Sequence, residues 1–183
     1  MTYGCAYWPE AKNTAIGNEG YDDSKALSAE KREAFFRGIN CHADIGYVLR
    51  VISAAEISHN MLQVTPRSLN KMSHQAAVDL VQKVLDHGVN VTHVYVDTVG
   101  DPNRYQQYLT NVFHHQIEFT VTSKADSLFP VVSAASIVAK VARDFLLDHW
   151  QFREKCCQNR SHEFGCGYPG SSSAFLSYLI VSA

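Results

Sequence analysis

Apolar positions along the chain follow two rhythms. Short runs are rich in β-branched and aromatic residues, and longer stretches repeat every three or four positions. Residues 2–8 (TYGCAYW) are rich in aromatics and read as a strand. A loop holding Gly17 and Gly20 follows. Ser28 is placed to cap a helix over about 29–38, with Glu30 near its positive end. Residues 45–52 (IGYVLRVI) read as a second strand, and Ser53-Ala-Ala-Glu56 has the capping-box form that starts a helix. Ser73 is the expected cap of the next helix. In it Ala77, Leu80, Val81, Val84 and Leu85 recur at helical spacing until Gly88 ends the run. Residues 91–96 form an apolar strand, Asp101-Pro102 reads as an N-cap with proline opening a short helix, and residues 117–122 form another strand. The longest helix is predicted from about 130 to 157. Val131, Ala134, Ala135, Val138, Ala142, Phe145 and Leu146 make its apolar stripe, with Lys140 pointing away from it and Arg143 at its flank. The helix–strand alternation from 73 to 150 is an α/β signature.

A chain of 183 residues fits one domain, and a domain of this size buries roughly 70% of its unfolded surface. Hydrophobic residues at 46% and charged residues at 19% are an ordinary globular mixture and argue against dominant disorder. The formal net charge of −2 supplies no overall positive field, so a nucleic-acid site must be a local patch. Five cysteines cannot all pair within the chain, and the odd count points to a reducing compartment. No apolar run approaches the ~18 residues of a membrane helix. The start, Met1-Thr-Tyr-Gly-Cys5, has no basic region followed by an apolar one, so no secretory signal is expected.

Two aspartates stand where open α/β sheets place their sites, outside the carboxyl ends of strands. Asp97 ends the run Val-Tyr-Val-Asp97-Thr-Val-Gly100, and Asp126 follows the next strand in Lys124-Ala-Asp126-Ser. Neighbouring strands would bring both carboxylates to one edge, an oxygen-rich arrangement suited to Mg²⁺ or Mn²⁺. The alternative is that each is a turn residue or helix cap. Gly165-Cys-Gly167-Tyr168-Pro169 offers an aromatic ring on a glycine-flanked loop, able to stack on a base or sugar or simply to pack in a turn. Cys156, Cys157, His162 and Cys166 have spacings that match no structural zinc pattern well, and read as thiols rather than ligands. His114-His115 reads as a solvated loop pair. Asn90-Val-Thr92 matches a glycosylation sequon but lies at a predicted strand.

Taken in order, four segments form a pattern: Asp23-Ser24-Lys25, Val94-Tyr-Val-Asp97-Thr-Val-Gly100, Lys124-Ala-Asp126 through Pro130-Val-Val-Ser-Ala-Ala-Ser-Ile-Val-Ala-Lys140-Val-Ala-Arg143-Asp144, and Gly167-Tyr168-Pro169. The pattern resembles the type 2 ribonuclease H family, nearest its eukaryotic branch, over residues 1 to about 170. The resemblance implies a ribonuclease H-like mixed sheet flanked by helices. It also implies cleavage of the RNA strand of RNA–DNA hybrids, or of single ribonucleotides embedded in duplex DNA. The family uses two divalent ions, Mg²⁺ or Mn²⁺, held by four carboxylates. Asp97 and Asp126 match the third and fourth of these, as catalytic and metal-binding residues. Tyr168 matches the tyrosine that stacks at the RNA–DNA junction. Lys25 and Arg143 match basic positions near the substrate backbone. Eukaryotic members dock two accessory subunits in the ribonuclease H2 complex, which implies an intracellular, nuclear location and no membrane.

The sequence departs from that pattern at both ends. The family's central first strand carries Asp-Glu-Ala-Gly-Arg-Gly, and no Asp-Glu-Ala-Gly occurs in these residues. The expectation is therefore an incomplete ribonuclease H-like domain over 1–169, lacking its central strand and two carboxylates, followed by a divergent apolar tail over 170–183. The two halves of the sheet should then expose apolar edges that invite aggregation. The alternative to an active endoribonuclease is a truncated, inactive isoform or gene-model fragment, and little hybrid cleavage is expected of the chain as written. By the same resemblance, the region that docks the accessory subunits is expected to be missing.

Overall fold

The computed structural model describes residues 1–21, 27–98, 100–151 and the strand 179–182. Strand β1 (Thr2–Trp8) leads through a 3-10 turn into the short helix α1 (Asn13–Gly17), followed by α2 (Ala29–Cys41) and strand β2 (Gly46–Val51). Helices α3 (Ala54–Met61) and α4 (Leu69–Asp86) precede β3 (His93–Asp97), α5 (Pro102–Val112) and β4 (Glu118–Thr122). A 3-10 turn (Ala125–Ser127) introduces α6 (Pro130–Asp148), and β5 (Leu179–Ser182) comes last.

The local start signals act as expected. Ser28 Oγ accepts from the Lys31 N–H and Ser53 Oγ from the Glu56 N–H, so each satisfies an amide the helix leaves free. Asp101 accepts from the amides of Asn103 and Arg104, with Pro102 in the first turn. Gly88, at φ +80°, follows the end of α4 in the left-handed conformation that glycine adopts without strain.

One cap is corrected. Helix α4 starts at Ser68, whose Oγ accepts from the Lys71 N–H, and Ser73 lies inside the helix. Buried Met72 and Ala76 carry the apolar stripe one turn further back, so the earlier serine wins.

The sheet order is β2-β1-β5-β3-β4. β1 pairs antiparallel with β2, and β3 pairs parallel with β4, with Asp97 opposite Thr122. The expected open edges between these pairs are not there. β5 lies between them, parallel to β1 (Cys5 opposite Leu179) and antiparallel to β3 (Val96 opposite Leu179). The physical reason is that two apolar strands with unmet backbone groups are satisfied by an extended apolar segment from elsewhere in the chain.

Both faces of the sheet are covered. Tyr3, Cys5, Val94, Val96, Phe119 and Val121 pack with α4 and α5 on one face. Ala6 and Trp8, alternating with Cys5 along β1, pack with α2 and α6 on the other.

Helix α6 departs from its prediction in three ways. It ends at Asp148, short of 157, where the His149 and Trp150 amides donate to Phe145 and Leu147 and the His149 ring stacks on Phe145 at 4.1 Å. Over Val131–Lys140 it is buried all round, Lys140 included at 7% exposure, because the sheet and α2 enclose it. Phe145 and Leu146, placed in the stripe by spacing, are exposed, because the helix has by then run past the sheet.

Candidate active site

β3 alternates half-buried His93 and Tyr95 with buried Val94 and Val96 and ends on Asp97, 7% exposed. β4, parallel to it, ends at Thr122, and the chain then turns through Lys124, a non-glycine residue held at φ 57°. Such a conformation is uncommon outside glycine, asparagine and aspartate and marks a constrained turn. That turn leads into the 3-10 turn in which Asp126 is 2% exposed.

One hydrogen bond ties the two places together. The Ala125 N–H donates to Asp97 Oδ1 at 3.0 Å, so the residue next to Asp126 orients the Asp97 carboxylate. The β3–β4 pairing extends past the strand ends, where the Thr98 N–H donates to the Thr122 carbonyl at 3.1 Å. Both aspartates thus belong to one corner at the carboxyl ends of the parallel pair.

Asp126 also lines a cleft of about 370 Å³ with Gly17, Gly20, Tyr21, Ser127, Leu128, Phe129 and Pro130. Tyr21 is buried against Trp8 and Phe35, and its hydroxyl donates to Glu19 Oε2 at 3.2 Å. Burial first, and the Glu19 carboxylate second, push its ionisation far above the ordinary phenol range, so it stays a neutral donor. The sequence pattern marks the two glycines only as loop residues and does not single out Tyr21. Its one signal is adjacency to the Asp23-Ser24-Lys25 segment.

Carboxylate oxygens are the hard donors that Mg²⁺ and Mn²⁺ take, and two at one sheet edge fit part of such a set. Among the described residues no group of three or more His, Cys, Asp or Glu side chains gathers as a metal site. Water and substrate oxygens are the ligands that hard cations add to a small protein set.

The other candidates are placed differently. Arg143 does not come to the aspartate corner. It lies thirteen residues beyond Pro130 on α6, about 20 Å along the axis at 1.5 Å per residue. There its Nε donates to Asp144 at 2.8 Å, and Asp144 also meets Arg32 at 3.4 Å. Lys25, Tyr168 and the Cys156, Cys157, His162, Cys166 group lie outside the described residues. His114 and His115 are an exposed pair with positive φ, as a solvated loop requires.

A mixed sheet covered on both faces, with two buried carboxylates at the carboxyl ends of its parallel strands, is the architecture of an α/β enzyme. The sequence model of the ribonuclease HII family matches residues 1–178, and the chain belongs to that family. It is 47% identical over 174 residues to a ribonuclease H2 subunit of Caenorhabditis elegans, covering 93% of this chain and 58% of the relative. Against the Arabidopsis thaliana protein of the same name the identity is 43% over 170 residues, covering 93% and 57%. Against the Homo sapiens one it is 45% over 169 residues, covering 92% and 56%. The chain thus spans somewhat over half the length of these relatives.

Two solved structures share the fold. Ribonuclease HII of Archaeoglobus fulgidus, in its complex with PCNA, superposes with a TM-score of 0.64 at 20% identity, covering 80% of this chain and 73% of that one. Ribonuclease H2 of Pyrococcus horikoshii gives 0.62 at 24%, covering 94% and 82%.

Proposed function

We propose that the chain carries the ribonuclease fold of an endonuclease that hydrolyses RNA paired with DNA, including ribonucleotides embedded in duplex DNA. The observation that supports it most is the aspartate corner: Asp97 and Asp126 buried at the ends of parallel strands and linked through the Ala125 amide. Family membership and relatives named as ribonuclease H2 subunits support the substrate class.

In this reading Asp97 and Asp126 hold a divalent cation, Mg²⁺ or Mn²⁺. Bound there, the ion supplies Lewis acidity that activates water and stabilises the leaving 3′ oxygen. The chain's own part is positional. The Ala125 N–H fixes one Asp97 oxygen and with it the plane of the carboxylate. Burial of both carboxylates strengthens their field, since charges interact more strongly away from bulk water. The cleft beside Asp126, lined by Tyr21 and Phe129, gives the sugar–phosphate chain a place to lie. Tyr168 is assigned the junction-stacking role and Lys25 and Arg143 the phosphate contacts by resemblance alone. Docking of two accessory subunits and a nuclear location belong to the same proposal.

The test is a nicking assay on a duplex with one embedded ribonucleotide. Nicking that depends on Mg²⁺ is expected, because carboxylate oxygens are the ligands such an ion takes. Loss of an outer-sphere partner of a metal ligand already costs about 10–100-fold, so Asp97→Asn and Asp126→Asn should each lose at least about 100-fold. Asparagine keeps the oxygen that accepts from Ala125, so the fold is retained. Nicking unchanged in both variants would overturn the assignment.

A further inference from the structure

We propose that Lys124 is a substrate-binding residue, its ammonium meeting a backbone phosphate of the nucleic acid that lies over the Asp97–Asp126 corner. The inference rests on the reading of that corner as a nuclease site and adds one contact to it. The first ground is conformation. Lys124 holds φ 57° and ψ 36°, in the left-handed region. Glycine, asparagine and aspartate fit that region with less strain than a lysine does. Strain of this kind persists only where the surroundings fix it. Here the Lys124 carbonyl accepts from the Ser127 N–H at 3.0 Å, and the next amide, of fully buried Ala125, donates to Asp97 Oδ1 at 3.0 Å. The turn therefore needs this backbone, but it does not need a lysine. What the lysine adds is its side chain.

The second ground is place. By standard bond lengths the Lys124 Cα lies about 2.4 Å from the Ala125 nitrogen, and so within about 5.5 Å of Asp97 Oδ1. Lys124 is exposed, whereas Asp97 and Asp126 are buried. Its charge thus stands in solvent beside the carboxylates, where an incoming strand arrives.

The third ground is charge. Two carboxylates repel a phosphate chain, and a net charge of −2 supplies no overall field to offset them. Local cations must do so. Lys12, Arg32, Arg37, Arg50 and Arg143 each meet a carboxylate of the chain itself. Among the described residues no carboxylate pairs with Lys124. A compact ammonium with three donors suits a phosphate oxygen.

The test is the salt dependence of binding by the full chain to a DNA duplex holding one ribonucleotide. Ca²⁺ replaces Mg²⁺, so that binding is read apart from hydrolysis. Each phosphate contact adds about 0.9 to the steepness of log affinity against log salt. Lys124→Asn suits the left-handed turn and removes the charge, so its urea midpoint should not fall. Between about 50 and about 200 mM salt it should lose roughly 3.5-fold less affinity than the unaltered chain. Lys124→Arg keeps the charge and should keep the slope. Lys83→Gln, at an exposed position in the last turn of α4, should keep it too. An unchanged slope in Lys124→Asn would overturn the contact, as would an equal change in Lys124→Arg or in Lys83→Gln. A slope change confined to Lys124→Asn, in a chain that does not nick with Mg²⁺, would uphold the contact and overturn the nuclease reading. No binding of the duplex by the unaltered chain would overturn both.

Discussion

Strands β3 and β4 are joined through α5 within thirty residues of sequence, whereas β1 meets its packing partners across almost the whole chain. In the first pair, Val94, Val96, Phe119 and Val121 cluster with Leu109 of the intervening helix and Phe113 at its end, a local β–α–β unit. In the second, β1 lies against α6, so closely that a methyl group on Gly4 would stand 2.5 Å from the Ala135 carbonyl oxygen. Asp97 and the turn bearing Asp126 belong to the local unit. The proposed site thus lies where geometry depends least on distant assembly, and the long-range half supplies cover. Sites held on regular elements keep their geometry better than sites on loops.

Removing a large side chain from each half tests whether they act as one unit. Trp8 is 1% exposed, and its indole N–H donates to Asn13 Oδ1 at 3.1 Å. Trp8→Ala should cost about 3–5 kcal/mol in urea unfolding. Leu109→Ala, in the local half, should cost about 2–5 kcal/mol. If the halves unfold together, both variants shift the midpoint with an unchanged slope. A lower slope in Trp8→Ala alone would show the β3–α5–β4 unit persisting by itself.

Two glycines sharpen the contrast within the long-range half. Gly4→Ala meets rigid helix backbone and should lose about 1–3 kcal/mol through overpacking. Gly46→Ala meets only the Tyr7 ring, a half-buried side chain that can turn aside, so a smaller loss is expected. Equal losses would mean that Tyr7 is as fixed as the helix. In the local half, Asp101→Ala removes the cap of α5 and should lower stability by about 0.5–2 kcal/mol, read as a midpoint shift.

The smallest effect is a pH dependence. His74 stacks on Tyr105 with ring centroids 4.0 Å apart, and burial holds its pKa below the ordinary imidazole value. The unfolded chain therefore binds a proton more readily than the folded one as pH falls through about 6.5. Stability should be full above that pH and decline below it. His74→Phe keeps a ring against Tyr105 and should flatten the decline in urea midpoints between about pH 7 and pH 5. An unchanged slope would place the acid sensitivity elsewhere.

Legibility follows the range of each interaction. Capping serines and aspartates, the glycine after α4 and the valine-rich strands are readable because each signal acts over a turn or a few residues. Asp97 and Asp126 are readable for the same reason, Asp97 ending a strong strand and Asp126 following shortly after the next. Ser73 and Ser68 both fit the cap pattern, and only the burial of Met72 decides for Ser68. The cleft around Tyr21 carries no local signal because it joins residues near 20 to residues near 128. The Arg32–Asp144 ion pair spans more than a hundred positions and leaves no mark in the local pattern.

By itself, the sequence determined the helices and strands between residues 29 and 148, where most of them begin, and that Asp97 and Asp126 follow the parallel pair, since local hydrogen bonding and side-chain period dictate these. Only the tertiary structure decided that Lys140 is enclosed, that α6 leaves the core after one face of the sheet is covered, and that Leu179–Ser182 takes the centre of the sheet. Those outcomes depend on which distant surfaces come together. Strand pairing uses backbone groups that every residue carries, so an apolar segment shows that it can be a strand without showing which strands it lies between.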